Sequence, residues 1–168
     1  MNLEELRSIQ APIKDRYRAD PTSAIVALTC VGTVHVESQH CVVGSFAGPI
    51  RAGLHPAAGG SAADACSAEM LLESLVACAG VTLAAVATNM SVPVDSCSIT
   101  AEADMDFRGT LGVDRSAPVG LIAIRLRFDI QSSAEPTTLR KLIELTERYC
   151  VIYQTLAKGI PSIVTLSV

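Results

Sequence analysis

Hydrophobic and charged positions alternate between Leu121 and Ile130, where Ile122, Ile124, Leu126, Phe128 and Ile130 oppose Arg125, Arg127 and Asp129. A period of two predicts a strand with one wet face. Ser98–Phe107 reads as a second strand, and the Asp106-Phe107-Arg108-Gly109-Thr110 turn and the residues up to Pro118 form the connection. Asp106, Arg108, Asp114 and Arg115 are read there as turn residues with exposed charges. Upstream, short β-branched runs at Ala24–Cys30, Thr33–Glu37 and Cys41–Ser45 predict an antiparallel meander. The Gly- and Pro-rich stretch from Gly48 to Cys66 reads as a loop. A short β-branched segment, Ser162–Val168, is expected to be a last strand.

Three segments carry helical patterns instead. Leu3, Leu6, Ile9, Ile13 and Tyr17 lie close to one helical face, and Pro12 interrupts them, which predicts one or two short helices. A helix capped by Ser67, with Glu69 in its first turn, should run to about Asn89 over roughly 34 Å and be closed off by Pro93. Its middle, Leu75 to Ala87, is apolar on every side, so it should be buried all round. The uncharged run from Ser74 to Pro93 reaches membrane-spanning length, but Gly80, Thr82, Asn89 and Ser91 break it, and a core helix is the better reading. A third helix starts near Ser133, carries Pro136 in its first turn and presents Leu139, Leu142, Ile143 and Thr146 on one stripe, ending at Cys150.

Composition narrows the class. A chain of 168 residues has room for one substantial core, so residues 1–168 are read as a single domain with residues 1–20 as a helical extension. With 49% hydrophobic residues, apolar area is left over for a subunit interface, and a homo-oligomer is expected. A net charge of −4, three Phe, three Tyr and no Trp argue against nucleic acid or an anionic membrane as partner. The opening residues lack a basic region followed by an apolar one, so a cytoplasmic location is expected. The six cysteines, at positions 30, 41, 66, 78, 97 and 150, show no C-x-x-C pair or scaffold spacing, so a disulfide here would be catalytic.

Two of those thiols stand out. Cys78 sits in the middle of the apolar helix, where a lone cysteine is ordinarily a small buried hydrophobe. Cys150 lies 72 residues later, just before Val151–Leu156, whose first backbone N–H groups would favour a thiolate at Cys150, with Arg148 adding positive charge. Cys66, at the mouth of the helix, is read as a turn residue or an additional exchanging thiol, and Cys30 and Cys97 as packing residues in strands. His35, His40 and Cys41 invite a metal, but on a continuous strand an interval of five places the histidines on opposite faces, so no metal site is expected.

The segment Ser67-Ala68-Glu69-Met70-Leu71-Leu72-Glu73-Ser74-Leu75-Val76-Ala77-Cys78-Ala79-Gly80-Val81-Thr82-Leu83 resembles the central-helix motif of the OsmC/Ohr family, P-x-E-L-L-L-A-A-L-x-A-C-x-x-M-T. Arg148-Tyr149-Cys150-Val151-Ile152-Tyr153-Gln154-Thr155-Leu156 is similar to its second motif, K-x-C-P-V-x-x-T-L. The resemblance implies an α+β fold with antiparallel sheets around a long buried central helix, in an intertwined homodimer with active sites at the subunit interface. It implies a thiol peroxidase in which Cys78 attacks an organic hydroperoxide and Cys150 resolves the sulfenic acid. A dithiol such as a lipoyl protein or thioredoxin would complete the cycle without a cofactor.

Family members activate the first cysteine with an Arg from a Gly-Gly-Arg strand motif and a carboxylate ten residues before it. Here that motif is missing from Thr33–Ser45, and the tenth position before Cys78 is Ala68. Glu69 is the acidic residue offered by the P-x-E-L form of the motif, and is equally a helix N-terminal acid; Arg51 is the nearest cation in the chain, with Arg16 and Arg18 behind it. The competing readings are a family member that binds a small hydrophobic ligand in the interfacial pocket without peroxidase activity, and thiols of purely structural role.

Overall fold

The computed structural model describes residues 2–166, and the elements run in the order helix, 3-10 turn, four short strands with a 3-10 turn before the fourth, long helix, strand, one-turn helix, strand and two helices. Helix α1 (Leu3–Ala19) is one continuous helix through Pro12, not two. An N-terminal capping box holds it: the Glu5 N–H donates to Asn2 Oδ1 at 2.9 Å and the Asn2 N–H donates to Glu5 Oε2 at 2.8 Å. Glu4 and Glu5 in the first turn and Arg16 and Arg18 in the last complement its dipole, which offsets the amide lost at Pro12.

Strands β1 (Gly32–His35), β2 (His40–Val43), β3 (Ile50–Gly53) and β4 (Ala65–Cys66) form one sheet in that order. The β1–β2 and β2–β3 pairs are antiparallel, whereas β3–β4 is parallel, so this sheet is mixed. The expected strand at Ala24–Cys30 is absent: Pro21–Ala24 is a 3-10 turn, and the extended residues after it, with Ile25, Val26 and Leu28 exposed, have no partner strand among the described residues. β-Branched residues favour extended backbone but cannot make a ladder alone. The Gly48–Cys66 stretch, read as a loop, contains β3 and β4. Its glycines serve close approach: a Cβ on Gly53 would lie 2.7 Å from the Asp64 side chain, and one on Gly60 would overlap the Leu54 carbonyl oxygen. His35 and His40 are not on opposite faces of one strand. They are register partners across the β1–β2 hairpin, with rings stacked at 4.6 Å.

Helix α2 (Ser67–Met90) follows β4 directly, so Ser67 is its first residue and not its cap. Leu75, Ala79, Leu83 and Ala87 make a buried stripe at intervals of four. Ala77, Val81 and Ala84 are exposed, Val81 to 73%, so the helix is buried on one face and not all round. By length and hydropathy alone α2 could cross a membrane; its buried stripe packs as a core helix does.

Strands β5 (Ser96–Met105) and β6 (Leu121–Gln131) form the second sheet, and β6 alternates as expected from Ile124 to Gln131, with Ile122 exposed. Between them α3 (Phe107–Thr110) is a single turn capped by Asp106, whose carboxylate also pairs with Arg108. Helix α4 (Pro136–Tyr149) begins with its proline in the first turn, and α5 (Val151–Lys158) follows after one residue. No strand occurs in 162–166; residues 167 and 168 of the expected last strand lie outside the described residues.

The chain divides into two compact units, Met1–Glu73 with Glu102–Arg125, and Ser74–Ala101 with Leu126–Val168. In the second, Leu83 and Ala87 of α2 pack on Leu142 of α4, with Phe128 and Ile130 of β6 and Val92 and Val94 around them. Leu142 is fully buried, and truncating it leaves a cavity that this small core cannot refill. Leu142→Ala should lower unfolding stability by about 2–5 kcal/mol, read as an earlier midpoint in urea; a change below about 0.5 kcal/mol would contradict this core.

Candidate active site

Cys150 occupies the break between α4 and α5, with extended backbone at φ −72° and ψ 109°. Its N–H donates to the Thr146 carbonyl at 2.9 Å, finishing α4, and its own carbonyl accepts from the Gln154 N–H at 2.9 Å, starting α5. Side chains brace the turn: Gln154 Nε2 donates to the Glu147 carbonyl at 2.8 Å, and the Thr155 hydroxyl donates to the Val151 carbonyl at 2.8 Å. The residue is 1% exposed. Beneath it the buried Thr146 satisfies its hydroxyl on the Leu142 carbonyl.

Cys78 lies on α2 beside the buried stripe and is half-buried. Both cysteines are free thiols, and each bears on the other's ionisation. Residues 72 positions apart in the chain are therefore brought within each other's influence by packing within one unit.

The environments of the two sulfurs differ in sign. Burial pushes Cys78 upward, as it does any thiol. The N–H groups of Ile152 and Val151, the Cys150 thiol and the Thr82 hydroxyl all favour its charged form and together hold it below the ordinary thiol value. At Cys150 burial dominates, the hydrogen bond to Cys78 and the charge there add to it, and the N–H groups of Tyr153 and Ile152 do not compensate, so this thiol is held above the ordinary value. Of the two, Cys78 loses its proton the more easily.

The amides of α5 favour the Cys150 thiolate as the sequence suggests, through Ile152 and Tyr153, but burial outweighs them, and Val151 and Ile152 also favour the thiolate of Cys78. Thr82, one turn after Cys78, was also missed as a donor, although it occupies the motif's threonine position. The other two expected site residues lie in the first unit. Arg51, on β3, is exposed and ion-paired with Asp64, which raises its guanidinium further. Glu69, in the first turn of α2, faces a cavity of about 450 Å³ that it shares with His55, Cys66, Asp104 and Phe107. Among the described residues, none of the donors that lower Cys78 is a cation. Cys97, half-buried on β5, is pushed up by burial and by Asp129, and Cys30 is exposed outside any strand. No cluster of His, Cys, Asp and Glu among the described residues is arranged to hold a metal ion.

The family model described as OsmC-like protein matches residues 60–165, a span that contains both cysteines and every element from β4 to α5. The chain belongs to the OsmC-like family. Solved structures share its fold. An OsmC-like protein from Mycoplasma pneumoniae superposes with a TM-score of 0.65 at 18% identity, over 80% of this chain and 89% of that one. An organic hydroperoxide resistance protein from Elizabethkingia anophelis gives 0.63 at 17% identity, over 80% and 90%. An OsmC-like protein of unknown function from Vibrio cholerae gives 0.61 at 14% identity, over 78% and 94%. No curated protein matches the chain by sequence. At these identities the OsmC-like neighbours establish an α+β OsmC-like fold.

The opposed thiols predict a pH order of reactivity. Alkylation requires thiolate, so lowering the pKa of Cys78 moves its rate profile to lower pH than free cysteine, and raising that of Cys150 moves its profile the other way. Iodoacetamide at pH 7, followed by peptide mass mapping, should label Cys78 before Cys150 and leave Cys150 largely unmodified. Preferential labelling of Cys150 would reverse the assignment.

Proposed function

We propose that this OsmC-like protein is a cysteine peroxidase that reduces organic hydroperoxides. The observation that carries the reading is that one folded unit holds two free thiols that bear on each other's ionisation, with Cys78 held toward thiolate and Cys150 toward thiol. The Cys78 thiolate attacks the terminal peroxide oxygen, the O–O bond breaks, and the departing alkoxide takes a proton to leave as alcohol, giving Cys78 sulfenic acid. The Cys150 sulfur then attacks the Cys78 sulfur, its proton leaves with the hydroxyl as water, and a disulfide results. An external dithiol, of the lipoyl-protein or thioredoxin kind, transfers two electrons to that disulfide and restores both thiols.

Apolar neighbours support an organic substrate. Val81, one turn from Cys78 on α2, is exposed, as is Val151 at the start of α5. An alkyl or aryl tail gains by covering such groups, whereas hydrogen peroxide does not. The uncovered Ala77, Val81 and Ala84 face of α2 supports a homodimer in which a second copy meets it. The working protein is then a cytoplasmic dimer in this reading, with Arg51 and Glu69 as the side chains to examine for a supporting role.

The test is hydroperoxide consumption. Wild-type protein with dithiothreitol should consume cumene hydroperoxide catalytically, Cys78→Ser should lose this activity, and Cys150→Ser should retain one turnover with a sulfenic acid that dimedone captures. Equal consumption by wild type and Cys78→Ser would eliminate the peroxidase reading. Thiols that stay reduced in wild type would favour a ligand-binding role for the same family member.

A further inference from the structure

We propose that the groove between β6 and α4 binds a small amphipathic carboxylate, an alkyl or aryl acid whose tail covers the apolar wall and whose head is held by Arg140. The groove lies wholly within the second unit, and neither Cys78 nor Cys150 lines it, so it stands apart from the peroxidase reading. Two periodicities build its walls. On β6, Phe128 and Ile130 face the core, while Arg127 and Asp129 alternate with them and pair with each other at 3.0 Å. On α4, Leu142 and Thr146 form the buried row, Leu139 and Ile143 flank it one turn apart, and Arg140 and Glu144 make the next row, exposed to solvent.

Phe128, Ile130, Leu139 and Ile143 pack on the core cluster beneath them yet stay half-buried, and the surface they leave uncovered lines a cavity of about 490 Å³. Cavities of about 300–1,000 Å³ hold small organic ligands. Charge then selects among such ligands. Arg140 and Glu144 both border the cavity and stand one turn apart, but Lys141 Nζ takes Glu144 Oε2 at 2.9 Å. The Arg140 guanidinium is left with no ion pair or side-chain hydrogen bond among the described residues. The cavity therefore presents an apolar wall, a carboxylate already neutralised and one free cation. A guanidinium fork meets a carboxylate through two parallel N–H···O bonds, while an apolar tail gains by leaving water. A neutral ligand forgoes the first contribution, and an amine is repelled at the same point.

The test titrates octanoate, octanol and octylamine into wild-type protein with methyl-labelled Ile and Leu, followed by NMR. Octanoate should shift the methyls of Ile130, Leu139 and Ile143 to saturation, bind about tenfold more tightly than octanol and lose that advantage at high salt. Octylamine should bind more weakly than either. Arg140→Gln should bring octanoate down to the affinity of octanol and leave octanol binding unchanged. Arg140→Lys should recover part of the loss, because an ammonium keeps the charge but not the fork. Arg140 is exposed, so both variants should unfold at the wild-type temperature.

Equal octanoate affinity in wild type and Arg140→Gln, or tighter binding of octylamine than of octanoate, would overturn the proposal. So would methyl shifts that change with protein concentration alone while octanoate adds none, since a second copy of the chain would then occupy the groove. Cys78→Ser separates the site from the thiols. It should bind octanoate as wild type does, and loss of binding there would move the acid to the cysteine pair and remove the groove as its site. Octanoate binding with no hydroperoxide turnover in wild type would sink only the peroxidase reading; turnover without octanoate binding would sink only the carboxylate site.

Discussion

The first amides of α5 have neither a capping side chain nor an intrahelical acceptor, and two thiols feel their dipoles. The break at Cys150 is what creates the arrangement. It ends α4 and begins α5 within one residue, buries the Cys150 side chain and leaves the first amides of α5 to act on the ionisation of two thiols. Leu142 and the stripe of α2 secure it from below, because the Leu83, Ala87 and Leu142 cluster fixes α4 against the helix that carries Cys78. Packing of ordinary aliphatic residues therefore sets the distance between two reactive atoms. The chemistry is a consequence of that packing.

Burial alone would make both thiols inert, since an apolar surrounding disfavours thiolate. The asymmetry comes from the count and direction of donors. Cys78 receives two amides, a hydroxyl and a thiol, while Cys150 receives amides but also faces the charge of its neighbour. Two cysteines in one half-dry site thus acquire different roles from their surroundings, with no cation among the described donors to Cys78. For a peroxidase this division is useful: one sulfur attacks as thiolate, and the other keeps its proton until a sulfenic acid is there to accept it.

Much of this was legible in the chain. The two cysteine motifs marked the pair, the alternation in β6 marked one sheet, and Leu139, Leu142, Ile143 and Thr146 marked the buried side of α4. What failed did so for local reasons. β3 and β4 hide in a glycine-rich stretch because Gly53 and Gly60 are there for close backbone approach, which pattern reading takes for a loop. The expected strand at 24–30 has β-branched residues but no partner among the described residues, whereas the N-terminal segment, read as one or two helices, is one, held by its capping box. An apolar sequence told of α2's composition, not that Ala77, Val81 and Ala84 would be left open. Which thiol the amides of α5 reach depends on how two helices meet, and no local pattern encodes that.

The central claim is that packing within one folded unit places Cys78 and Cys150 in bonding reach, with oxidation passing from the first to the second. Mass mapping of the disulfide formed after one equivalent of cumene hydroperoxide tests it most directly. A single new linkage, Cys78 to Cys150 within one chain, is expected. A linkage that excludes either residue, with Cys78 and Cys150 recovered as free thiols, would contradict it.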